Sequence, residues 1–203
     1  YKIGSGEINN YLMLQKIAKT KKPIILSCGM SNLNEIQLTL DFLKKYKIDI
    51  SLLQCTTSYP TSAEKWGLQM IPLLKSRFNI PVGYSDHSSN TASCLAATAL
   101  GAEILEFHAV FDKKMFGPDS QSSLEFGQLR EVIKFRDDYL EMQNNPVDKD
   151  SVAEDMKTMK GLFNKSLVLK RALAKGSILQ RDDFTAKKPG TGIAVQFINQ
   201  CVG

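Results

Sequence analysis

The stretch Ile80-Pro81-Val82-Gly83-Tyr84-Ser85-Asp86-His87, followed by Ala102-Glu103-Ile104-Leu105-Glu106-Phe107-His108, decides how this chain reads. Each run is a short apolar strand that ends in polar, chemistry-bearing side chains. Between them lies Ala92 to Leu100, almost wholly small and apolar, which reads as a buried helix stopped at Gly101. A strand, a buried helix and a second strand is the repeating unit of a parallel sheet covered on both faces. His87 and His108 are the only two histidines in 203 residues. A single histidine after a strand is usually a satisfied polar residue. Two on successive strands make a shared metal as good a reading from position alone.

The same unit recurs upstream. Pro23-Ile24-Ile25-Leu26-Ser27 and Ile50-Ser51-Leu52-Leu53-Gln54-Cys55 read as strands, and Tyr1-Lys2-Ile3-Gly4 as the end of another. Leu33, Ile36, Leu40 and Leu43 keep one apolar helical face, and Ser31 or Asn32 with Glu35 resembles a capping box. Leu124 to Met142 reads as a longer amphipathic helix. Units of about 25 residues suit a (β/α) barrel or an open doubly wound sheet. Composition shifts at Gln143-Asn144-Asn145-Pro146. A polar stretch to about residue 164 reads as a linker with a helix of moderate propensity, and Ser166-Leu167-Val168-Leu169 opens a small β structure.

With 26 basic and 21 acidic residues the net charge is +5, and the lysines punctuate loops instead of forming one stripe. That balance suits small anionic substrates better than nucleic acid. No apolar run is long enough for a transmembrane helix. The four cysteines form no CxxC pair and lie in apolar contexts, which reads as a reducing cytoplasm. No P-loop, GxGxxG or GxSxG is present. Every strand terminus instead ends in hydroxyl, carboxylate or imidazole groups. Capping preferences account for one or two such turns, and the accumulation at five points to an active rim.

Lys2-Ile3-Gly4-Ser5-Gly6-Glu7, Ile25-Leu26-Ser27-Cys28-Gly29-Met30, Cys55-Thr56-Thr57-Ser58-Tyr59-Pro60, Val82 to His87, Gly117-Pro118-Asp119 and Lys188-Pro189-Gly190-Thr191-Gly192 stand in an order that resembles the sialic acid synthases. More broadly the chain resembles nonulosonate synthases, which condense phosphoenolpyruvate with an N-acetylated hexose. The resemblance implies an α/β fold: the C-terminal part of a TIM (β/α)8 barrel, about strands 4–8, over residues 1–145. A linker over 146–164 and the start of an antifreeze-like (SAF) domain over 165–203 would follow. It implies that His87 and His108 hold a divalent metal, most often Mn2+ with Mg2+ or Co2+ as alternatives. Lys2, Ser5, Ser27, Thr57, Ser85, Asp119, Lys165 and Lys188 would bind substrates, although some members carry asparagine where Thr57 stands. Glu7, Asp86 and Tyr59 are the catalytic candidates. A homodimer whose SAF domain caps the partner's barrel is implied, with no nucleic acid or membrane partner. Absent barrel strands would make the chain a fragment, inactive alone. Legionaminate or pseudaminate synthesis, a non-catalytic binding module and an unrelated metal-dependent aldolase are the competing readings.

Overall fold

The computed structural model describes residues 1–203 and divides into two compact units, Tyr1–Asn144 and Asn145–Gly203. In the first unit, strands and helices alternate: β1 (Lys2–Ile3), α1 (Tyr11–Lys19), β2 (Ile24–Ser27), α2 (Leu33–Lys44), β3 (Ile50–Cys55), α3 (Met70–Phe78), β4 (Val82–Asp86), α4 (Thr91–Ala99) and β5 (Leu105–Phe107). The five strands form one parallel sheet in the order β1-β2-β3-β4-β5. Sequential order in a parallel sheet means that each helix crosses over to the neighbouring strand, the connection used in barrels.

Strand side chains alternate between two faces. Ile24, Leu26, Leu52, Val82 and Tyr84 pack with Leu14, Ile36, Leu43, Ile71 and Leu74 from the helices into one core. Burial of each such aliphatic side chain contributes roughly 1.5–3 kcal/mol, so this layer holds the sheet in place. The helix ends are set locally. Asn32 and Glu35 close a capping box on α2, and Asn10 and Asn90 cap α1 and α4. At the end of α4, Gly101 takes φ +86°, and the N–H groups of Gly101 and Ala102 donate to the carbonyls of Thr98 and Ala97. This Schellman stop consumes Ala102, so β5 starts later than its apolar run suggests.

The helix expected from Leu124 begins two residues later. Leu124–Glu125 forms β7, which pairs in parallel with β6 (Ala109–Val110), and α5 runs from Phe126 to Asn144. Leu124 donates its N–H to the His108 carbonyl at 2.8 Å and buries its side chain with Cys94 and Val132. Strand pairing and burial therefore outweigh a helical pattern that would run through both residues. β6 and β7 form a separate two-stranded sheet, and the main sheet keeps the five strands read from sequence.

The second unit opens with α6 (Lys149–Asp155) and α7 (Lys157–Phe163), so the linker carries two short helices where one was expected. Antiparallel strands β8 (Ser166–Leu169) and β9 (Phe184–Lys187) follow. Ser166 donates to the Pro189 carbonyl at 2.6 Å and accepts from the Gly192 N–H at 2.8 Å, which seats the Lys188–Gly192 loop on β8. No helix of the chain is long and apolar enough to cross a membrane.

Candidate functional site

The face of the sheet turned away from the helices carries the chemistry. Beyond the strand C-termini, Lys2, Ser5, Ser27, Cys55, Thr57, Tyr59, Ser85, His87, Glu106 and His108 line one cleft of about 320 Å³. The two-residue period places Ser85 and His87 on this face, and puts Tyr84 and Asp86 on the other. Gly83 shares the cleft face. A Cβ there would lie 2.3 Å from the Ile104 carbonyl oxygen and 2.7 Å from Leu53 Cδ2, so β4 packs closely only with glycine at that position.

At one end stand the histidines. His87 Nδ1 lies 3.1 Å from the Thr56 carbonyl. A carbonyl can only accept, so Nδ1 carries the proton, and the lone pair on Nε2 faces the cleft. There it accepts the Tyr59 hydroxyl at 3.1 Å. Burial holds the His87 pKa below its ordinary value, which keeps the ring neutral. The His108 ring sits with its centroid 5.3 Å from that of His87, and Asp119 Oδ2 lies 3.9 Å from His108 Nδ1. Burial, followed by the nearby Cys55, Asp119 and Glu106, raises the Tyr59 pKa, so its hydroxyl stays protonated.

At the other end stand an ammonium and three hydroxyls. Lys2 Nζ pairs with Glu106 Oε1 at 2.9 Å, and Ser85 donates to the same oxygen at 2.9 Å. Ser5 Oγ accepts the Gly29 N–H at 3.0 Å, which leaves its own proton available to donate. Ser27 Oγ is buried without any hydrogen-bond partner. A buried hydroxyl without a protein partner at the wall of a polar cleft can bond to water or to a ligand oxygen. Lys2, Ser5 and Ser27 together form a donor-rich surface suited to phosphate or carboxylate.

The remaining site candidates fall elsewhere. Asp86 is fully buried behind the sheet, where Oδ1 accepts from the Ser93 hydroxyl (2.8 Å), the Ser88 N–H (3.1 Å) and the Tyr84 hydroxyl (3.2 Å). Glu7 is exposed in the turn after β1 and accepts from the Asn10 side chain at 2.7 Å. Lys165 and Lys188 belong to the second unit, where Lys188 Nζ lies 4.8 Å from the centre of the Phe163 ring. Glu106, read from sequence as a strand-end carboxylate but not as a site residue, lines the cleft with Cys55 and Met30, which the sequence did not mark. Glu106 could have been found by alternation, because it stands two residues before His108.

No group of three or more His, Cys, Asp or Glu side chains assembles here as a metal cage. The two imidazoles are the nitrogen donors that stand together in the cleft, and His87 Nε2 would have to exchange the Tyr59 hydroxyl for a cation to serve in that way. Substrate or water oxygens would have to complete such a shell.

The NeuB family model matches residues 1–146. The N,N'-diacetyllegionaminic acid synthase of Campylobacter jejuni (subsp. jejuni serotype O:2) is 39% identical over 206 residues, covering 100% of this chain and 61% of that protein. The human N-acetylneuraminate-9-phosphate synthase is 35% identical over 188 residues, covering 92% of this chain and 52% of that protein. Among solved structures, the N-acetylneuraminic acid (sialic acid) synthetase of Leptospira borgpetersenii serovar Hardjo-bovis, in complex with citrate, superposes with a TM-score of 0.71 at 32% identity. That match covers 79% of this chain and 57% of the synthetase. The chain thus spans roughly half to three fifths of the length of the curated relatives it matches.

Proposed function

This chain belongs to the NeuB family, and on that premise we propose that it carries the phosphoenolpyruvate end and the two-histidine end of a nonulosonate synthase site. The single observation that carries the reading is the cleft itself. It places a buried Ser27 hydroxyl with no protein partner, Ser5 and Lys2 at one end and the paired rings of His87 and His108 at the other. An enol phosphate is a small trianion, and an acylated hexose aldehyde is a neutral polyol. A site with a donor cluster beside two imidazoles suits that pair of substrates.

The reaction proposed is a condensation. The C2–C3 π electrons of phosphoenolpyruvate form a bond to the sugar's aldehyde carbon, whose oxygen becomes a hydroxyl after taking a proton. Water adds to the oxocarbenium-like C2 and loses a proton. The C2–O bond to phosphate then breaks as the C2 hydroxyl gives its proton to the departing phosphate, leaving the 2-keto acid and inorganic phosphate. Lys2, Ser5 and Ser27 hold the phosphate and carboxylate by charge-assisted hydrogen bonds, which fix C3 against the sugar. Glu106 orients Lys2 and Ser85. Tyr59 covers His87 and presents its hydroxyl to the sugar side of the cleft. A divalent cation, Mn2+ in this proposal, would be held by His87 and His108 and would supply Lewis acidity toward the sugar aldehyde.

The second unit is proposed to be the start of an SAF-like domain, and a homodimer in a reducing cytoplasm is the assembly proposed. Residues 1–203 taken alone are proposed to bind phosphoenolpyruvate without turnover, because the five-stranded sheet has free edges where a barrel is closed. For the sugar, N-acetylmannosamine giving N-acetylneuraminate is one reading. A diacetamido-trideoxyhexose giving legionaminate is the second, favoured by the 39% identity to a synthase of that name. Incubating the full gene product with phosphoenolpyruvate, Mn2+ and each sugar, with mass spectrometry of the products, separates them. A nine-carbon sugar acid from either substrate supports the proposal, and phosphoenolpyruvate left unconsumed with both overturns it.

A further inference from the structure

Lys113 lies outside the cleft and five residues past His108, yet it reaches the turn that carries His87. Its Nζ donates to the Ser89 carbonyl at 3.2 Å and to the Ser89 hydroxyl. Ser89 stands at φ +62°, a left-handed conformation that costs a residue other than glycine of the order of 1–2 kcal/mol and needs outside support. Lys113 is itself fixed. Its backbone N–H donates to Glu125 Oε1 at 3.1 Å, and its carbonyl accepts from the Gln121 side chain at 3.0 Å.

The loop between β6 and β7 holds His108 as well. Leu124 donates its N–H to the His108 carbonyl, and Asp119 faces the His108 ring. The Asp119 carbonyl accepts from the Ser123 hydroxyl at 2.7 Å. One loop therefore braces His108 from its own strand and reaches across to the His87 turn. From the inner side that turn is held by Asp86, which accepts the Ser88 N–H.

We propose that Lys113 is a positioning residue that sets His87 relative to His108 by clamping Ser89. The inference rests on the reading of the two histidines as a working pair, and it assigns their spacing to a residue that touches neither ring. An ammonium with two oxygen acceptors on one residue ties it by charge-assisted hydrogen bonds, and a guanidinium carries the same charge with donors enough for both acceptors.

The test compares the protein with its Lys113→Met and Lys113→Arg variants by hydrogen–deuterium exchange, thermal unfolding and Mn2+ binding followed by electron paramagnetic resonance. The Met variant keeps the stem and removes the donors. It should speed exchange of the amides in residues 87–92 and leave exchange in β2 and β3 unchanged. Mn2+ affinity should fall by about ten- to a hundredfold, the size of effect seen for residues that orient ligands. The Arg variant should restore both. Unaltered exchange across 87–92 in the Met variant overturns the clamp, as does equal loss in both variants. Absence of Mn2+ binding by the unmodified protein would instead overturn the metal reading, with the exchange measurement still deciding the clamp.

Discussion

Replacing Ser27 with alanine should move stability and binding in opposite directions. Ser27 is 2% exposed, and no group of the protein hydrogen-bonds its Oγ. A buried hydroxyl left unsatisfied costs about 1–3 kcal/mol. Ser27→Ala removes that cost and one oxygen's worth of packing contact, for a net stabilisation of about 1 kcal/mol. For a chain of this size that corresponds to a rise in Tm of about 2–4 °C. The same hydroxyl is proposed to donate to an anionic oxygen of phosphoenolpyruvate, an interaction with a charged acceptor worth about 1.5–3 kcal/mol. Loss of that bond weakens affinity by roughly ten- to a hundredfold. Differential scanning calorimetry and isothermal titration of phosphoenolpyruvate read the two effects on one preparation. A variant with lower Tm and unchanged affinity would show that Ser27 serves the fold and not the ligand, and would refute the reasoning.

Other consequences can be checked separately. His87→Ala should abolish tight Mn2+ binding and turnover while leaving phosphoenolpyruvate affinity largely intact, because Lys2, Ser5 and Ser27 lie at the other end of the cleft; titration with each ligand measures this. Gly83→Ala should destabilise the protein by about 3 kcal/mol or prevent folding, since the new methyl meets the Ile104 backbone carbonyl and Cβ as well as the Leu53 side chain; urea unfolding gives the value. Native alkylation with iodoacetamide at pH 8 should label Cys201 far faster than the other three cysteines. Burial pushes the Cys28 and Cys94 thiols up to about 12 and also raises Cys55, so at pH 8 these three remain protonated and unreactive. Rapid labelling of Cys28 or Cys94, seen by peptide mass mapping, would contradict that packing. Residues 1–203 alone should release no phosphate from phosphoenolpyruvate and N-acetylmannosamine in a colorimetric assay, and release at the rate of a working synthase would overturn the proposal of inactivity.

Much of the sheet was legible because its strands are written as apolar runs that end in polar residues. Ile50–Cys55 runs as read, and Ile24–Ser27 loses only the proline that precedes it. The Asn32–Glu35 capping box and the Gly101 stop were equally visible, since both signals are local. Leu124–Glu125 was not legible as a strand. Its pairing partner lies at Ala109–Val110, and only that distant contact distinguishes two residues of strand from the first turn of a helix. In 149–163 helical propensity was legible but the break into two helices was not: none of their residues is buried, so no apolar face marks where each one starts. In the site, Ser85-Asp86-His87 presents three polar residues in a row, and composition does not tell which face each takes. Pleating puts Ser85 and His87 in the cleft and sends Asp86 to Ser93 behind the sheet. The same alternation brings Glu106 in beside Lys2, a partnership invisible until β1 and β5 are seen to border one cleft.

A crystal structure of the protein with phosphoenolpyruvate tests the account most directly. The account predicts the ligand in the cleft at the strand C-termini, with its phosphate or carboxylate oxygens within hydrogen-bond distance of Lys2 Nζ, Ser5 Oγ and Ser27 Oγ. Phosphoenolpyruvate bound elsewhere, for example in the groove that Lys44 and Arg77 line between α2 and α3, with Ser27 Oγ still unpartnered, would contradict it.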